Sequence, residues 1–122
     1  MAELEPFEDP AHIDRCIYHC ITKLKELNSD YYNANQAAAS SEAEYNIEFA
    51  AARIAVRHDP PEEIKITEGV IDDTALAQCE DQYRAYKLDK AKADAIKQAT
   101  LSVRAQLDGF RSLAANHREL SS

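Results

Sequence analysis

The residues best equipped for chemistry stand near the start of the chain, in "HIDRCIYHC", where His12, Cys16 and Cys20 recur at every fourth position and His19 lies beside them. Imidazole and thiolate are zinc ligands, and four-residue steps stack side chains on one face of a helix. Doubling the chain back over a loop between His58 and Asp73 brings His117 opposite the same region, giving a candidate set of His12, Cys16, Cys20 and His117. Against a metal centre, no CxxC pair is present, Cys20 falls on an apolar seam, and free cysteine is among the most readily buried residues. The expectation is packing, with no metal and no cofactor.

A nucleophilic Cys16 assisted by His12 or His19 lacks both an oxyanion-binding turn and a pocket-forming sheet. The paired carboxylates Asp72–Asp73, Glu62–Glu63 and Glu80–Asp81 read most simply as solvated charge at helix starts and loops. No Gly-rich phosphate loop, GxSxG or HExxH is present. The chain is expected not to be an enzyme.

The next pattern is electrostatic. Lys90, Lys97, Arg104, Arg111 and Arg118 return at every seventh residue. If Ile96, Val103 and Phe110 face a partner helix, each basic residue that follows them lies about 100° further round the axis, flanking the seam. There the methylenes cover apolar surface while the charge reaches water, a carboxylate, a partner or a phosphate. Asp94 and Asp108 stand at helical contact spacing from the row, and local ion pairing is expected to absorb much of its charge.

These patterns require long helices to carry them. All four prolines fall at Pro6, Pro10 and Pro60–Pro61, and glycine occurs only at Gly69 and Gly109. Asp9 before Pro10 is a good helix start and "RHDPP" an equally good stop, which predicts a helix over about 10–58, either continuous and bent or restarted near residue 40 at Ser41 with Glu44. The connector is expected over 59–72, with Ile64 and Ile66 in a short strand or hydrophobic loop, and the second helix over about 73–120, started by Asp72 or Asp73. Each arm is then roughly 45 residues, on the order of 70 Å.

Along the first arm Ile13, Ile17, Cys20, Leu24, Leu27, Tyr31, Ala34, Ala38, Ser41 and Tyr45 step by fours and threes, and the pattern fades afterwards. The second arm carries Leu76, Cys79, Tyr83, Tyr86, Ala93, Ile96, Val103, Leu107, Phe110 and Leu113. The fold expected is all-α, a single domain formed by a long antiparallel helical hairpin. Tyr18, Ile21, Tyr32, Ile47, Ile54, Leu88 and Leu101 lie outside the seam, and two helices alone bury only one narrow stripe each. A homodimer forming an elongated four-helix bundle is therefore expected, with Ile17, Leu24, Leu27, Tyr31, Tyr45, Tyr83, Ile96, Val103, Leu107 and Phe110 as its seam.

A formal charge of −8 over 122 residues argues against general nucleic-acid binding. The first half holds 11 acidic against 5 basic residues, among them Glu3, Glu5, Glu8, Glu42, Glu44 and Glu48, so an acidic nucleic-acid mimic that blocks a host enzyme is one reading. The acidic start lacks an apolar signal region and no stretch reaches membrane-span length, so a cytoplasmic location is expected. Three cysteines in helical patterns argue against a disulfide scaffold.

From Tyr83 onward, "YRAYKLDKAKADAIKQATLSVRAQLDGFRSLAANHREL" resembles small helical-hairpin proteins of actinobacterial bacteriophages. The likeness rests on an Ala-rich helix, the Arg104, Leu107 and Asp108 segment, and the "FRSLAANHREL" ending. It implies a phage-encoded protein in the host cytoplasm, with an accessory role in DNA recombination, and carries over no site residue. The function expected from the residues themselves is a non-enzymatic, oligomeric helical interaction protein that presents charged faces to a protein partner. Nucleic-acid contact through the basic row is the alternative.

Overall fold

The structure is a computed structural model and describes residues 9–60 and 65–121. Among these residues every regular element is a helix: α1 Pro10–His58, α2 Glu68–Gln78 and α3 Glu80–Ser121. None of them is long and apolar enough to cross a membrane.

The start of α1 follows its sequence. Asp9 accepts a hydrogen bond at Oδ1 from the Ala11 N–H (3.0 Å), and its carbonyl accepts from the Ile13 N–H (3.1 Å). The helix does not break near residue 40. Ser41, which could have opened a new helix, instead donates its hydroxyl to Asp89 Oδ2 on α3, so the competing cap is drawn away to a cross-helix bond. Nor does the seam fade after Tyr45. It continues through Phe49, Ala52 and Val56, of which Ala52 and Val56 are buried. Two consecutive steps of four, Ser41 to Tyr45 to Phe49, restore the phase lost when 3.6 residues per turn are forced into sevens.

The second arm starts earlier than Asp72. Thr67, in extended conformation (φ −118°, ψ 163°), accepts at its hydroxyl from the Val70 N–H (3.2 Å) and caps α2. Residues 68–72 are thus helical, not connector, and Asp72 is engaged elsewhere. Ile66 lies exposed and outside any strand, while Ile64 and the Glu62–Glu63 pair lie outside the described residues. One residue, Cys79, separates α2 from α3: its N–H is shared between the carbonyls of Ala75 (3.2 Å) and Leu76 (3.1 Å), and its carbonyl accepts from Tyr83 (2.9 Å). The turn tightens around a buried side chain.

The packing divides into two compact units. Unit 1 joins the described residues of α1 up to Tyr32 with α3 from Asp94, and unit 2 comprises Asn33–Ala93. Within unit 1, Ile13, Cys20 and Leu27 are buried at successive sevens of α1, and Leu107 is buried on α3. Within unit 2, Ala52, Ala75 and Cys79 form a buried cluster flanked by Tyr45 and Phe49. No polar side chain is buried among the described residues. These cores are thin files of small and medium side chains, the form that Ala-rich helices take when they pack closely.

Candidate partner-binding surface

The candidate metal set His12, Cys16, Cys20 and His117 does not assemble among the described residues. Cys16 Sγ lies 3.5 Å from His12 Nε2, one helical turn apart, but Cys20 is buried in the core. No group of three or more metal-ligating side chains converges among the described residues. His117, half-buried near the end of α3, is engaged in its own contacts.

The carboxylate pairs are divided among separate tasks. In unit 2, Arg53 Nε faces Asp72 Oδ1 at 2.9 Å, and Arg53 Nη2 reaches Glu68 Oε2 at 3.0 Å. Arg57 Nη2 donates to both Glu68 oxygens at 3.0 Å. Glu68 stands in the first turn of α2, where its carboxylate also faces the positive end of the helix dipole. Glu80 pairs with Arg84 one turn on. Asp73 and Glu80 line one groove of about 470 Å³ together with Tyr83 and Arg84, and Glu44 and Asp81 line another of about 190 Å³ with Ser41.

Unit 2 also holds an aromatic cluster that reading each residue as a seam position missed. Tyr45 meets Tyr83 edge-on at 5.4 Å and stacks with Tyr86 at 6.0 Å and Phe49 at 5.6 Å. The Lys87 ammonium lies 5.4 Å from the centres of both Tyr83 and Tyr86. Burial, then the neighbouring Tyr83, Cys79 and Tyr86, push the Tyr45 hydroxyl above its ordinary pKa, and burial with Glu48 does the same to the Cys79 thiol. Both groups are held neutral, which suits packing and not nucleophilic chemistry. The available signal was the spacing: Tyr45 on one arm, Tyr83 and Tyr86 on the other, all at seam positions.

The basic row divides between the units: Lys90 lies in unit 2, and Lys97, Arg104, Arg111 and Arg118 lie in unit 1, all exposed. The expected pairing with Asp94 and Asp108 is not made among the described residues. Exposed pairs gain roughly 0–1 kcal/mol, too little to hold two long side chains in one geometry. In unit 1, Arg104, Arg111 and Thr100 instead line a groove of about 460 Å³ with Lys25 and Asn28 of α1. An adjoining groove of about 240 Å³ shares Asn28, Thr100 and Arg104 and adds Tyr31, Lys97 and Leu101. Numbers rise on α1 as they fall on α3 along both grooves, so the helices run antiparallel within this unit.

The seam residues fill the space between helices of the same chain. Leu27 and Leu107 are buried, and Ile17, Leu24, Tyr31, Ile96, Val103 and Phe110 are half-buried in unit 1; Tyr45 and Tyr83 are half-buried in unit 2. Of the side chains outside the seam, Ile21 is half-buried, whereas Tyr18 (73% exposed), Tyr32 (63%), Ile47 (68%), Ile54 (57%), Leu88 (57%) and Leu101 (48%) are exposed. Comparison with protein-family models, with curated proteins and with solved structures finds no match for this chain.

Proposed function

We propose that this chain is a non-enzymatic helical interaction protein whose antiparallel hairpin pairs with a second copy into a four-helix bundle. The observation that carries the reading is a second apolar row on α1. In unit 2, Ala43, Ile47, Ala50 and Ile54 step by four, three and four, all exposed. Ile47 stands two residues from Tyr45, and Ile54 two from Ala52, so each lies about 160° round the axis from the seam. A helix with apolar rows on opposite faces is built to pack on two sides.

Self-pairing antiparallel matches these side chains by size, because each Ile then faces an Ala of the partner and the layers fill evenly. Covering two isoleucines on each of two copies contributes roughly 4–8 kcal/mol at about 25 cal/mol per Å² of apolar surface, enough to hold a dimer at micromolar concentration only with further contacts at the rim. The resemblance of the Tyr83–Leu120 stretch to phage proteins supports a phage-encoded assembly factor acting in the host cytoplasm. Sedimentation equilibrium tests the self-association. An Ile47→Glu, Ile54→Glu double variant is expected to sediment as one chain while keeping its helical circular dichroism; an unchanged oligomer in that variant would remove this face from the interface.

A further inference from the structure

We infer that the groove of unit 1 is a docking site for an acidic amphipathic helix from another protein. This inference rests on reading the chain as an interaction protein and names the class of partner. Four cations rim the groove: Lys25 from α1, and Lys97, Arg104 and Arg111 from α3. Among the described residues no ion pair engages any of the four, in a chain whose net charge is −8. The floor carries Leu24 and Leu107 toward one end and Tyr31 and Leu101 toward the other, with the polar Asn28 and Thr100 common to both.

The spacing of the charges selects the occupant. Lys97, Arg104 and Arg111 stand seven residues apart, about 10.5 Å along the axis at 1.5 Å per residue. A helix lying in the groove presents the same side every seven residues, so carboxylates at successive heptads meet successive cations while apolar residues between them meet the floor. The run from Lys97 to Arg111 covers about 21 Å, the length of a helix of four turns. A nucleic-acid backbone offers a phosphate about every 3.4 Å along each strand and no apolar side chain, so about two of every three phosphates would go unmatched and the apolar side chains of the floor would stay bare. The net negative charge of the whole chain repels it further.

Fluorescence anisotropy with the full chain tests this. The probe is a labelled 21-residue helical peptide with leucine at the core positions and glutamate at the flanks; the controls are the same peptide with lysine for glutamate, a single-stranded oligonucleotide and a DNA duplex. The acidic peptide is expected to saturate the protein, to weaken as salt is raised, and to lose at least tenfold in affinity against Arg104→Glu, Arg111→Glu. The lysine peptide is expected to gain affinity for that variant, a swap that a misfolded protein would not show. Acidic-peptide binding that ignores the reversal, no binding of that peptide, or tighter capture of either nucleic acid would overturn the inference. Sedimentation of the same samples reads self-association separately: an oligomer that survives the reversal is expected, and one that dissociates would assign the groove to a second copy.

Discussion

At the scale of single residues, most polar groups serve geometry. Ala75 is wholly buried between Ala52 and Cys79, so it sets how closely α1 and α2 approach within unit 2. An Ala75→Leu substitution is expected to destabilise the fold by roughly 1–3 kcal/mol through overpacking, read as a lower urea midpoint. Tyr45 gives a pH signature. Its hydroxyl titrates above the ordinary value of about 10, so its contribution is intact below pH 10 and is lost as pH rises from there through the higher folded-state pKa. Urea midpoints are expected to fall as the pH is raised above about 10, and to fall less steeply in Tyr45→Phe. Of the cysteines, Cys16 is half-buried while Cys20 and Cys79 are buried, so a thiol reagent should label Cys16 first in the native protein. The sequence showed which of these side chains share a seam, because spacing carries that information. It did not show that Arg53 and Arg57 would clamp Glu68 and Asp72, since that contact depends on where α2 begins.

At the scale of elements, strong local signals decided α1 and weak ones misplaced the start of α2. Asp9–Pro10 and "RHDPP" are unambiguous punctuation, and α1 runs between them. Asp72 and Asp73 are good capping residues on propensity, yet Thr67 caps first and leaves them inside the helix. Choosing between such caps needs the tertiary contact of Asp72 with Arg53, which no local window contains. Removing the cap with Thr67→Ala is expected to cost about 1 kcal/mol. Gly109 lies mid-helix with open space where a Cβ would go, so Gly109→Ala is expected to stabilise α3 by up to about 1 kcal/mol, visible as a raised Tm. The basic row was legible as spacing, but the groove it rims was not, because Lys25 and Asn28 come to it from the other helix.

At the scale of the whole molecule, Ile47 and Ile54 are exposed on α1 and need a covering surface. Thin cores of alanine, cysteine and single leucines bury little apolar surface per residue, and a chain built this way gains stability by packing on a further element. The excess of exposed tyrosine, isoleucine and leucine on the outer faces points to the same need. Sedimentation equilibrium across a range of micromolar concentrations is the most direct measurement. A mass twice the 13.7 kDa of one chain, reduced to one chain by Ile47→Glu with Ile54→Glu, is the result predicted. A mass of 13.7 kDa at every concentration would contradict it.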